Sequence, residues 1–296
     1  MLSTSRFVVP SLALALAASC AATTTPSSDG AHEAAWRAKL IDPLTAPTAF
    51  ETPLIYTGLN AMAMHHEFPS DSVFQGGDAN IYALQARYAV SDQLAIIATK
   101  DGFIDLNPDN PGVPDDEGFA DIAAGFKYAI IDDLDEGLIV TPGLIFETTS
   151  GDKEVFQGNG DGLLRPFVSV GKDLGEVNLV GFFGYSQPLD GGEESSSYDY
   201  HLHASYEAGH GFFPLVELNG ITYTSGGNGP FTGFEGTELI NLGSKDVAGN
   251  SLITGAIGTR YAVGDNVLIG LGYEMPLTSR EDIFDSRWTL DAILFL

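Results

Sequence analysis

The stretch Ser197-Tyr198-Asp199-Tyr200-His201-Leu202-His203-Ala204-Ser205-Tyr206-Glu207 alternates between two chemistries without a break. Successive side chains of an extended strand point to opposite sides. Tyr198, Tyr200, Leu202, Ala204 and Tyr206 therefore share one face, and Asp199, His201, His203, Ser205 and Glu207 share the other. Phe119 to Ile130 divides the same way, with Ala120, Ile122, Ala124, Phe126, Tyr128 and Ile130 opposing Asp121, Ala123, Gly125, Lys127 and Ala129. In Asn266 to Met275, Val267, Ile269, Leu271, Tyr273 and Met275 oppose Asn266, Gly270, Gly272 and Glu274. These polar faces are too small and too charged to form the core of a β-sandwich.

The same reading along the chain predicts strands near Leu54 to His66, Asn80 to Val90, Gln93 to Phe103, Phe119 to Ile130, Gly137 to Thr148 and Leu163 to Lys172. The second half continues near Val177 to Gln187, Ser197 to Glu207, Phe212 to Tyr223, Ser251 to Val263, Asn266 to Met275 and Arg287 to Leu296. Long and short connections alternate between them throughout. Residues 238–242 also have strand character and are placed inside the longest loop. An even number of two-faced strands, with short turns on one rim and long loops on the other, predicts an all-β, twelve-stranded, antiparallel up-and-down transmembrane barrel. Closure is required because hydrocarbon offers unpaired backbone groups no water. Tyr56, Tyr128, Tyr206, Tyr273 and Trp288 are candidates for the interfacial girdles, and the chain stops within a strand at Ile293-Leu294-Phe295-Leu296.

Composition narrows the function. The 296 residues carry 13 basic and 40 acidic side chains, a formal charge of -27 that argues against nucleic acid and anionic membrane surfaces as partners. Charged residues make up 18% and hydrophobic ones 44%, so the chain is not an acidic disordered tail. Arg6 precedes an apolar run from Phe7 to Ala18 and small residues through Ala22, the layout of a secretory signal peptide. Residues 1–20 are read as that signal, 21–50 as a flexible linker with a short helix around Ala31 to Leu40, and 51–296 as the barrel. Cys20, the single cysteine, follows Leu16-Ala17-Ala18-Ser19 and is a lipidation candidate; it leaves no intrachain disulfide. The expected location is the outer membrane. Expected partners are outer-membrane lipid, the barrel assembly machinery and a small-molecule solute.

The motif Gly143-Leu144-Ile145-Phe146 running into Thr149-Ser150-Gly151-Asp152, with Tyr273-Glu274-Met275-Pro276-Leu277-Thr278 before the last strand, resembles the outer-membrane transporter family grouped with the phenol-degradation pathway (MetA-type) barrels. The resemblance covers most of Leu54 to Leu296, although the family's Pro-Thr-Gly after the fifth strand is not intact. It implies a twelve-stranded barrel passing small, often apolar molecules, with no catalytic residues to carry over.

The polar faces supply the candidate lumen lining: Gln85, Arg87, Asp121, Lys127, Glu147, Arg165, Asp199, His201, His203, Glu207, Glu217, Asn219, Arg260, Glu274, Arg287 and Asp291. Both signs occur on neighbouring strands, which predicts ion pairs filling the interior, since buried charges need partners. The same residues would also line a narrow polar path. His201 and His203 beside Asp199 and Glu207 offer metal-type ligands, but hydrogen bonding to the carboxylates is the expectation, and no metal or cofactor is assigned. His203-Ala204-Ser205 with Asn219 is similar to the His, Ser and Asn arrangement of outer-membrane phospholipases. Here those residues share the charged face rather than the lipid face, so no catalytic residue is assigned. Acidic groups at Asp105, Asp109, Asp115, Asp116 and Glu117, and at Asp132, Asp133, Asp135 and Glu136, lack EF-hand spacing and are expected to be a solvated rim. The function expected is a passive transporter or narrow channel. A non-conducting adhesive barrel is the alternative, and a lipid hydrolase using Ser205 and His203 a more distant one.

Overall fold

The structure, a computed structural model, describes residues 39–296. The signal peptide, the lipidation candidate Cys20 and the helix expected before Lys39 lie outside these residues. The period-two segments pair edge to edge into one closed antiparallel barrel of twelve strands. We number them β1 (Gly58–Glu67), β2 (Gly77–Ala89), β3 (Leu94–Lys100 and Phe103–Pro108) and β4 (Asp116–Phe119, Ala123–Tyr128 and Ile131–Asp133). Then follow β5 (Leu138–Glu147), β6 (Leu163–Asp173), β7 (Val177–Pro188) and β8 (Ser196–Tyr206). The last are β9 (Phe212–Ser225), β10 (Ser251–Val263), β11 (Val267–Pro276) and β12 (Ser286–Phe295). Each strand pairs with the next, and β1 closes the ring on β12, Gly58 opposite Phe295 and Glu67 opposite Ser286. Every backbone edge is thereby satisfied.

Both ends of the ring's chain meet on the rim of short turns, where the Leu296 amide donates to the Thr57 carbonyl. The opposite rim carries the longer connections 68–76, 109–115, 148–162, 189–195, 226–250 and 277–285. Residues 238–242 form no strand. They belong to the inward-folded loop 226–250, where Gly236 and Ile240 make an isolated bridge.

Outward residues form an apolar belt: Ile96, Phe126, Leu202, Val216, Leu218, Ile257, Leu271 and Leu290 are all exposed. Tyr128, Tyr206 and Trp288 stand on this outer face, and Tyr273 packs against Trp288 at 4.8 Å between ring centroids. Tyr56 departs from the expected girdle. It precedes β1, turns into the barrel and packs edge-on against Phe295 at 5.0 Å.

The alternation slips between β3 and β4, and the β8–β9 register also shifts, between Ser196 and Ser197. Ala120 and Asp121 are both buried, as are Thr99 and Lys100 beside them, where the β3–β4 register shifts between Ala98 and Lys100. An extra residue in a ladder bends the strand and re-aims its side chains. Here Ala120 leaves the apolar face it shares in the sequence reading and joins the inner cluster with Met64, Ile81 and Ile240.

Candidate functional site

Residues 39–50, read as linker from the sequence, are not a tether: with residues 51–57 they run inside the barrel. Pro43, Pro47 and Pro53 explain the shape. Proline has no amide hydrogen and breaks helices, so most carbonyls of this segment have no partner within it, and buried carbonyls need one. The wall provides donors. Arg260 Nε and Nη2 donate to the carbonyls of Asp42 and Pro43 at 2.8 and 2.6 Å. Gln85 Nε2 donates to Pro47 O at 2.8 Å, and Arg165 Nη1 to Thr48 O at 2.9 Å. Ser169 Oγ donates to Glu51 O at 2.7 Å, Lys127 Nζ to Thr52 O at 2.7 Å and Thr141 Oγ1 to Pro53 O at 2.8 Å.

Two carboxylates complete the attachment. Glu51, from the segment, accepts from Arg87 Nε and Nη2 at 2.9 and 2.8 Å and from Lys127 Nζ at 2.7 Å. Glu217, from β9, accepts from the Leu44 and Thr45 amides at 2.8 Å each and from the Thr45 hydroxyl. Its other partner is His203 Nδ1 at 2.7 Å. Phe50 stacks on His201 with centroids 5.0 Å apart. Glycine makes room for the segment: a Cβ on Gly270 or Gly272 would come within 2.7 or 2.9 Å of the Leu44 side chain. This is why β11 carries glycines on its inner face.

The remaining wall charges pair across strands. Arg260 binds Asp291 through two hydrogen bonds of 2.8 and 2.9 Å, and Arg287 reaches Glu274 at 2.8 Å and Glu238 of loop 226–250 at 2.6 Å. Arg165 stands 3.8 Å from Asp199, and Lys100 donates to Glu147 at 2.5 Å. Asn219 links Thr45 and Glu274 at 2.8 Å each and meets His201 Nδ1 at 2.9 Å. Asp121 accepts from the Gly151 and Gly158 amides, and so braces loop 148–162 rather than facing a path. Glu207 is not inside. β8 ends at Tyr206, leaving Glu207 exposed in the short turn. Six buried cations (Arg87, Lys100, Lys127, Arg165, Arg260, Arg287) thus find their carboxylate partners among Glu51, Glu147, Asp199, Glu238, Glu274 and Asp291.

The long-loop half is closed by loops 226–250 and 277–285. Buried Glu235 accepts from the amides of Leu242 at 3.0 Å and Ser244 at 2.8 Å and from the Ser195 hydroxyl at 2.5 Å, which holds loop 226–250 in its inward turn. Thr48 Oγ1 donates to Glu238 O at 2.9 Å, joining that loop to the inner segment. Burial raises the carboxyls of Glu235 and Asp282 above their ordinary range. Burial, reinforced by Glu147, pushes Glu194 up to about 8. Between this loop and β1–β3 lies a cavity of about 30 Å³, lined by Met64, His66, Gln85 and Ile240 and large enough for roughly one water.

Among the described residues no group of three or more His, Cys, Asp or Glu is arranged to hold a metal ion. His203 Nε2 and Ser205 Oγ are both buried without a hydrogen-bond partner, so they make no nucleophile–base contact with each other. Sequence reading missed Glu51, Thr45, Asp42 and Lys100. The available signal was three prolines and two acidic residues among many apolar ones, a poor composition for a flexible linker.

No family model matches the chain, and no curated protein matches it. Among solved structures, an outer membrane channel from Pseudomonas putida F1 is similar over 86% of this chain and 100% of its own, at 12% identity and a TM-score of 0.58. The KdgM porin in complex with disordered oligogalacturonate aligns over 80% of this chain and 98% of its own, at 11% identity and a TM-score of 0.47. At such identity the first likeness establishes the fold alone: a closed antiparallel β-barrel like that of the channel.

Proposed function

We propose that this protein is an outer-membrane channel or transporter for small molecules, closed in the state described here by its own residues 39–57. The observation that carries the reading is how the segment is held. It is attached through hydrogen bonds and ion pairs to a charged wall, contacts that water or a polar solute can replace. A barrel serving only as an anchor needs no such exchangeable filling. The apolar belt supports membrane embedding, and the fold shared with the Pseudomonas putida channel supports passage. The finer kinship with the phenol-degradation barrels rests on the sequence motifs alone.

The test is planar-bilayer conductance of the whole chain and of a Thr45→Cys/Asn219→Cys variant, in which the side chains that now meet at 2.8 Å form a lock. Reduced protein should conduct in discrete steps, and oxidation should silence it. A folded barrel that stays silent in both states points to the second reading, a non-conducting surface barrel whose filling stays in place.

A further inference from the structure

The short-turn rim holds a wide concavity. It has a volume of about 610 Å³ and lies between the start of the inner segment, the end of β12 and the turns after β8 and β10. That volume falls within the roughly 300–1,000 Å³ of small-molecule sites. Leu54, Ile55, Phe213, Val267, Leu268 and Phe295 supply its apolar lining. The polar groups around it are of one sign: Glu207 and Asp265 in the turns, and Asp42 within. Among the described residues, no lysine or arginine lines it.

Asp42 is the unusual member. It is 4% exposed, yet its Oδ1 has no hydrogen-bond partner. Its Oδ2 accepts a single bond, from the Tyr56 hydroxyl at 3.1 Å. Arg87 and Arg260 feel the charge of Asp42, but their side-chain donors are directed to Glu51 and Asp291 and to backbone carbonyls. A buried carboxylate with an unused acceptor demands a donor, and a cationic donor most of all.

We propose that this vestibule binds a small organic ammonium ion with an apolar body. The hydrocarbon packs against Phe213, Leu268 and Phe295, the ammonium donates to Asp42 Oδ1, and Glu207 and Asp265 draw the cation to the mouth. Binding here does not depend on whether the barrel conducts.

The test uses the full mature chain in detergent, titrated calorimetrically with benzylammonium, benzyl alcohol and benzoate, which share a ring and differ in charge. Benzylammonium should bind saturably and benzoate should not bind. Asp42→Asn should weaken benzylammonium by about tenfold or more, the loss expected for a hydrogen bond to a charged group. Ala262→Trp, which fills the cavity from β10, should abolish binding while the barrel keeps its heat-modifiable gel migration. Three results would overturn the proposal: equal binding of the three probes, benzylammonium binding unchanged by both variants, or binding only after removal of residues 21–38. The last would mean that the chain itself occupies the vestibule.

Discussion

Replacing Glu51 by Gln should release the inner segment without unfolding the barrel. Glu51 is the one carboxylate of the segment that answers two wall cations, Arg87 at 2.8 Å and Lys127 at 2.7 Å, and all three groups are buried. Removing one partner of a buried ion pair costs about 3–5 kcal/mol, because the charge left behind is uncompensated. The lower end applies here, since glutamine keeps one acceptor oxygen and Lys127 keeps its 2.7 Å bond to Thr52 O. About 3 kcal/mol at 1.4 kcal/mol per factor of ten raises the released population roughly 100-fold. Ala49, 1% exposed in the middle of the segment, is the reporter position. In a Cys20→Ser background, the rate at which a water-soluble thiol reagent modifies Ala49→Cys follows the released fraction. Glu51→Gln should accelerate modification by about two orders of magnitude while the gel shift of the folded barrel persists. Ser169→Ala, which removes one neutral hydrogen bond to Glu51 O, should accelerate it only about fivefold. An increase below about threefold for Glu51→Gln, with the barrel folded, would refute the claim that this ion triad holds the segment.

Three further outcomes follow from the same geometry. The carboxyl of Glu194 is raised from its ordinary 4.5 to about 8, first by burial and then by Glu147, so the folded loop binds a proton that the open loop releases. Packing of loop 189–195 is therefore strongest below pH 4.5 and weakens as pH rises toward about 8; hydrogen exchange of this loop should show that slope, and Glu194→Gln should flatten it. Leu202→Arg places a charge on the lipid face near the middle of β8 and should cost about 2–4 kcal/mol in folding into vesicles; a cost under 1 kcal/mol would contradict the membrane belt. Ser205→Ala should leave any lipid hydrolysis in purified preparations unchanged, and a loss of activity on that substitution would reopen the enzyme reading.

Much of the wall is legible in the sequence because its cause is local. A strand exposes alternate residues to opposite faces, so Asp199, His201 and His203 declare their side as soon as Tyr200 and Leu202 declare theirs. Alternating connection lengths carry the strand number and the shared rim of the termini. Where local geometry departs from period two, the reading fails locally: the break in β4 at Ala120 and Asp121 depends on the bulge of the neighbouring strand and on loop 148–162, which no single segment encodes. Glu207 fails for a simpler reason, since polarity continues one residue past the point where pairing with β9 stops.

The filling of the barrel is another matter. The wall's arginines and lysines advertise a need for acceptors, but many of those acceptors are carbonyls of residues 42–53, and every residue has a carbonyl. Nothing in the sequence pairs Arg260 with Asp42 O or Glu217 with the Leu44 amide, partners separated by 218 and 173 positions. Amphipathic periodicity determined which side of each strand meets lipid and which meets the lumen. Only the closed ring decided what occupies that lumen, because burial of a charge is a property of the whole enclosure, and the chain satisfied it with its own proline-broken backbone.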